Sequence, residues 1–185
     1  MANSVIEQDI LKVFYSEEQL RQRVNEIGAQ LYERFKDEEP IFLSVLKGSF
    51  VFMADIVRAT QINCGVEFIA VSSYQDGTES TGRVQIQHDL QRDITGREII
   101  VIEDILDSGN TLYFLREYLK TKGAKHVTIV TLLDKPSRRK KDIYADYSGF
   151  EVPDEFVVGY GLDYAQKYRN LPYIGVLKPE VYAEG

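Results

Sequence analysis

A chain of 185 residues, 44% hydrophobic and 28% charged, has the size of one globular domain and enough apolar material to bury a core. Its 22 basic and 29 acidic residues leave a formal charge of −7, which argues against broad binding to nucleic acid or anionic membrane and requires local structure to hold any anionic ligand. Cys64 has no partner for an internal disulfide, the start MANSVIEQDI lacks the features of a signal peptide, and no apolar run approaches the roughly 20 residues of a membrane span, so a cytoplasmic location is expected.

Ser16 with Gln19 reads as a capping box, and Leu20, Val24, Ile27, Leu31 and Phe35 recur at helical spacing, which predicts an amphipathic helix ending near Lys36. Pro40 then opens an apolar run, Ile41 to Leu46, followed by Lys47-Gly48-Ser49 and a second run, Phe50 to Val57: a buried strand, a tight loop and a helix. Val66 to Val71 is β-like and leads into a polar stretch, Ser72 to Gly82, read as a surface loop. Ile99 to Ile102, an acidic glycine-bearing loop, a helix through Leu112, Leu115 and Leu119 ending around Gly123, and the strand Val127 to Leu133 form a β-loop-α-β unit with parallel strands. Phe156 to Val158 and Tyr173 to Leu177 are short strands in a tyrosine-rich tail. His88 and His126 have no metal-ligand spacing and are assigned surface or packing roles, and Cys64 a small core position.

Ligands of open α/β sheets bind beyond the carboxyl ends of the strands, so the loop Glu103-Asp104-Ile105-Leu106-Asp107-Ser108-Gly109-Asn110-Thr111 is the place to look for chemistry. Asp107, Ser108, Gly109, Asn110 and Thr111 enter a helix whose free amides and hydroxyls suit a phosphate monoester. Glu103 and Asp104 suit sugar hydroxyls or a hard cation. The plainer alternative makes the acids a solvated strand end and Asp107 a helix cap. No glycine pattern of a P-loop or dinucleotide fold is present.

Four apolar strand residues, two acids, two apolar residues and Asp-Ser-Gly-x-Thr together resemble the phosphoribosyl pyrophosphate signature of type I phosphoribosyltransferases. Further segments resemble the hypoxanthine-guanine phosphoribosyltransferases: Leu46-Lys47-Gly48-Ser49 the pyrophosphate loop, Ser72-Ser73-Tyr74 with Ser80-Thr81-Gly82 the mobile flap, and Leu133-Asp134-Lys135-Pro136 the base-binding lysine segment. Pro153 to Tyr164 looks like the purine hood, and Tyr168-Arg169-Asn170-Leu171-Pro172 like the segment after it.

The resemblance implies an α/β type I phosphoribosyltransferase fold, with a central parallel sheet flanked by helices and a small hood over the active site. All 185 residues form one domain, with a core of about 37–150 and a hood from the N-terminal segment and about 151–185. The implied activity is purine salvage: transfer of the phosphoribosyl group to hypoxanthine or guanine, with Mg²⁺ as cofactor, in a homodimer or homotetramer. Asp107 becomes the acid/base at purine N7, and Asp107 to Thr111 the 5′-phosphate cradle. Glu103 and Asp104 hold the ribose hydroxyls and Mg²⁺. Lys47, Gly48, Ser73, Tyr74 and Arg169 receive pyrophosphate, with a cis Leu46–Lys47 peptide expected. Lys135 reads the 6-oxo group, Phe156 stacks on the purine, and the Val157 and Asp163 segments read its other edge, Asp163 also being the candidate ligand of a second Mg²⁺. A nucleic-acid-binding regulator of the same fold is the competing class. Its best support, Arg138-Arg139-Lys140-Lys141, reads as a solvated bend.

Overall fold

The structure, a computed structural model, describes residues 5–73 and 84–182. Ser16 opens the first helix through reciprocal bonds with Gln19, its hydroxyl accepting from the Gln19 amide at 3.3 Å and its own amide donating to the Gln19 side chain at 2.9 Å. This helix, α1 (Glu17–Phe35), buries the apolar stripe expected of it. A strand absent from the sequence reading, β1 (Ile10–Tyr15), precedes it.

The main sheet begins with β2 (Ile41–Leu46), crosses through α2 (Phe50–Thr60) to β3 (Gly65–Ser73), and adds β4 (Val84–His88) antiparallel at one edge. Then β5 (Glu98–Leu106) crosses through α3 (Asn110–Thr121) to β6 (His126–Asp134), and β7 (Tyr147–Glu151) closes the other edge. The strand order is β4-β3-β2-β5-β6-β7, parallel apart from β4.

Strands covered on both faces read as unbroken apolar runs because successive side chains serve opposite layers. Phe42, Ile100 and Ile102 join the core beneath α1 and α2, whereas Ile41, Leu43, Val45, Ile99 and Val101 join the one beneath α3, with Leu112, Leu115 and Leu119. The β2-to-β3 and β5-to-β6 crossovers step in opposite directions, so a common right-handedness sends α2 and α3 to opposite faces. The neighbours β2 and β5 therefore flank the switch point of the sheet, where the loops that follow them part and leave a crevice.

A second sheet, β1-β9-β8, joins the N-terminal strand to β8 (Val157–Val158) and β9 (Ile174–Leu177) in antiparallel order, followed by the short α4 (Pro179–Tyr182). The two short strands expected in the tail are thus present, each a residue shorter.

Three expectations change. The acidic segment is not a loop from Glu103 onward: β5 continues to Leu106, because β6 keeps pairing with it through Glu103–Thr131, Ile105–Leu133 and Leu106–Asp134. Ser72 and Ser73 finish β3, and residues 74–82 of the expected flap, Tyr74 among them, lie outside the described residues. Cys64 is only partly buried, packed beside the core. No helix among the described residues is long and apolar enough to cross a membrane.

Candidate active site

The crevice at the switch point is walled by the turn after β2. The Leu46–Lys47 peptide is cis, as expected. Ser49 does not cap α2 with its side chain but turns inward, sharing a 2.7 Å hydrogen bond with Ser44 and donating to the Val45 carbonyl, which pins the turn to its strand. Gly48 has a steric reason to be glycine: a Cβ there would collide with the Asp104 carboxylate. Gly161 likewise sits against the Gly48 carbonyl, with φ +103°. Arg169 completes the wall, donating to the Gly161 carbonyl at 2.8 Å and pairing with Asp163 at 2.8 Å. The spare oxygen of Asp163 accepts the Gln166 amide. Lys47, Gly48, Asp104, Asp163 and Arg169, dispersed in sequence, thus converge.

Glu103 and Asp104 are poorly solvated, and burial pushes both carboxyls above the usual range. Glu103 rises well above it, because the adjacent Asp104 charge adds to the desolvation. Asp104 rises less, since the Ile105 amide and Arg169 favour its charged form. The Glu103 Oε2 atom is buried with no hydrogen-bond partner. A native fold rarely leaves such an atom unmatched, and this one suits a hydroxyl donor or a hard cation. No group of three or more His, Cys, Asp or Glu side chains among the described residues gathers around one metal position.

Beyond Leu106, Asp107 projects from the strand end and Gly109, in the left-handed region at φ +82°, is the N-cap of α3 with no side chain to cap it. The plain role considered for Asp107, a helix cap, therefore falls to Gly109. Ser108, whose hydroxyl accepts the Asn110 amide at 3.4 Å, and Thr111 stand at this end, where the first amides of a helix favour an anion.

The basic run is the solvated bend expected at Arg138, Lys140 and Lys141, which are exposed, but Arg139 turns inward and the segment also holds the loop after β5. After a 3-10 turn, Pro136–Arg138, the Lys140 and Lys141 amides donate to the Ser108 carbonyl at 2.9 and 3.2 Å. Arg139 is largely buried, pairing with Asp134 and donating to the carbonyls of Asp107 and Ile143. Arg138 bonds the Asp107 carboxylate itself at 2.8 Å. A run of four cations signals solvent when read along the chain, but here the segment braces the loop after β5. Sequence reasoning missed Arg138, Arg139 and Gly161 at this site; the position of the basic run directly after the lysine segment was the signal available.

Lys135 follows β6 and is 8% exposed, its Nζ donating to the Glu155 carbonyl at 2.8 Å with Asp154 at 3.5 Å. Phe156 is 42% exposed, stacked on Tyr182 with ring centroids 5.3 Å apart and met edge-on by Tyr164. The Val157 side chain belongs to the core, so only its backbone can face a ligand. Ser73 ends β3 at the same sheet end. A separate cavity of about 1180 Å³, between α1, α2 and residues 169–172, meets this wall at Arg169.

The phosphoribosyl transferase domain family model matches residues 13–165, and the chain belongs to that family. Within it, the chain is 53% identical over 178 residues to the hypoxanthine-guanine phosphoribosyltransferase of Bacillus subtilis, an alignment that covers 96% of this chain and 99% of that one. It is 46% identical over 180 residues to the hypoxanthine-guanine phosphoribosyltransferase of Streptococcus pyogenes, covering 97% and 100%. A crystal structure of a hypoxanthine phosphoribosyltransferase from Staphylococcus aureus matches with a TM-score of 0.95 at 48% identity, over 98% of this chain and 99% of that one.

Proposed function

We propose that this chain transfers the 5-phosphoribosyl group of phosphoribosyl pyrophosphate to hypoxanthine or guanine, giving IMP or GMP and pyrophosphate, with Mg²⁺ as cofactor. The observation that carries this reading is the convergence on one crevice of the Gly48 turn, the Glu103–Asp104 pair, Asp107 and the uncapped start of α3, with Lys135 on the adjoining strand end.

The first α3 amides with Ser108 and Thr111 take the 5′-phosphate. Glu103 and Asp104 take the ribose hydroxyls, and Lys47, Gly48 and Arg169 the pyrophosphate, with Ser73 and Tyr74 assisting. Phe156 stacks on the purine, the Val157 backbone and the Asp163 segment meet its far edge, and Lys135 donates to the 6-oxo oxygen. Purine N9 bonds to C1′ as the C1′–O bond to pyrophosphate breaks, and Asp107 accepts the proton lost from N7. The unmatched Glu103 oxygen and its neighbour Asp104 fit Mg²⁺, Asp163 being the candidate for a second ion. Bound there, Mg²⁺ supplies charge neutralisation for the departing pyrophosphate.

Adenine places an amino donor where Lys135 offers only donors, which disfavours it. Incubation with phosphoribosyl pyrophosphate, Mg²⁺ and each base in turn tests the reaction: IMP and GMP are expected, and product with adenine alone would overturn it. The exposed Tyr32 and Phe50 beside the large cavity support a homodimer or homotetramer, which light scattering of the pure protein would reveal.

Glu103→Gln is expected to weaken phosphoribosyl pyrophosphate yet stabilise the ligand-free, metal-free fold. A carboxyl raised on folding gives its full stability below its unfolded value, about 4.3, and loses it as pH rises through the raised folded value. Calorimetric melts across that window should fall with pH for the wild type and flatten in the variant. Identical pH dependence in both would count against the desolvated carboxyl.

A further inference from the structure

We propose that Arg138 is a positioning residue, fixing the carboxylate of Asp107 and tying it to Asp154 beside the small sheet; this rests on the transferase reading above. None of the described residues of its own loop bonds the Asp107 carboxylate, and the N-cap position of α3 is Gly109. Among the described residues, the group bonded to that carboxylate is Arg138, whose Nε donates to Oδ1 at 2.8 Å. No donor among the described residues is bonded to Oδ2. An acid/base needs this division, one oxygen anchored and the other open to the purine, whereas an unanchored carboxylate would spread over several rotamers.

The guanidinium then reaches further. Its Nη1 lies 3.2 and 3.1 Å from the two oxygens of Asp154, and Asp154 stands 3.5 Å from Lys135 Nζ. The row Asp107–Arg138–Asp154–Lys135 therefore links the group that handles the N7 proton to the group that reads the 6-oxo oxygen. A planar fork serves the two aspartates from separate nitrogens in a fixed geometry, which the single nitrogen of an ammonium does not reproduce. The backbone of Arg138 is itself held, its amide donating to the Lys135 carbonyl at 3.1 Å while Arg139 is anchored on Asp134. Arg138 and both aspartates are half-exposed, so their ion pairs add little to stability. The row is explained by orientation rather than by stability.

The test compares kcat and KM for both substrates in wild type, Arg138→Met, Arg138→Lys, Asp107→Asn and the Arg138→Met/Asp107→Asn double variant, with melting curves for each. Arg138→Met is expected to lower kcat by roughly 10- to 100-fold, the scale of a misplaced reacting group, with the KM for phosphoribosyl pyrophosphate and the melting curve close to wild type. Arg138→Lys should recover only part of the loss. In the Asp107→Asn background Arg138→Met should cost nothing more, because the residue it positions is already disabled. Wild-type turnover in Arg138→Met, full rescue by lysine, or an undiminished loss in the Asp107→Asn background would each overturn the proposal. A wild-type protein unable to make IMP would instead sink the transferase reading. The positioning claim would then be decided by a crystal structure of Arg138→Met: an Asp107 carboxylate still fixed in the wild-type rotamer overturns it, and one spread over several upholds it.

Discussion

Replacing Asp107 by asparagine is expected to lower turnover by roughly 10² to 10⁴, the usual contribution of a positioned acid/base, while phosphoribosyl pyrophosphate binding and thermal stability stay near wild type. The geometry makes this substitution unusually clean. Asparagine keeps an Oδ1 that can still accept from Arg138 Nε, so the side chain stays in place and only its ability to take a proton is lost. Loss of a cap cannot account for the fall, because the N-cap position of α3 is Gly109 and no side chain caps it. Single-turnover rates and calorimetric binding on the same folded variant separate chemistry from binding. Near-normal turnover would remove Asp107 from the mechanism.

Lys135→Met is expected to lower kcat/KM for hypoxanthine by roughly 10²-fold, the worth of a hydrogen bond from a charged donor, and to erode the preference over adenine. Sites built on such a bond discriminate by about 10⁴ or more, because the wrong partner leaves a buried polar group unmatched. The Lys135 ammonium is nearly enclosed, with one donor committed to the Glu155 carbonyl, and methionine keeps much of the bulk while removing every donor. The Glu155 carbonyl also loses its donor, so a modest fall in melting temperature should accompany the kinetic effect. Competition between hypoxanthine and adenine in one assay reads the ratio directly. An unchanged ratio would show that selectivity arises elsewhere.

The parts of the fold legible in the sequence were those where local pattern and burial agree. β2 and β5 are enclosed on both faces, so Ile41 to Leu46 and Ile99 to Ile102 stand out as apolar runs, and the Ser16–Gln19 cap announces α1 within four residues. The strands missed are those whose pairing is distant or marginal. β1 carries Lys12 and exposed Leu11 and Val13, and its partner β9 lies at the far end of the chain. β7 has Gly149 at its centre, packed against the Leu132 carbonyl. β4 does alternate at Val84 and Ile86, a signal hidden by the polar segment before it. At the candidate site, the closeness of the acidic pair to Asp107 was readable because they lie within five residues, at the end of β5 and just beyond it. The contact of Gly48 with Asp104 and the grip of Arg138 on Asp107 depend on chain closures 56 and 31 residues apart, which a reading along the chain does not register.

The small sheet shares its inner layer with the rest of the molecule. Val157, Tyr160, Ile174 and Val176 pack in the same apolar cluster as Leu20, Phe52 and Ile100, and the Tyr160 hydroxyl donates to Asp55 on α2. Opening a path for the purine by swinging this sheet away would tear that shared layer and expose it to water, at the cost of much of the protein's stability. Amide protons of β8 and β9 should accordingly exchange with solvent as slowly as those of β2 and β5, through whole-molecule unfolding rather than a local excursion. On that expectation the wall that carries Phe156 stays fixed as ligands come and go.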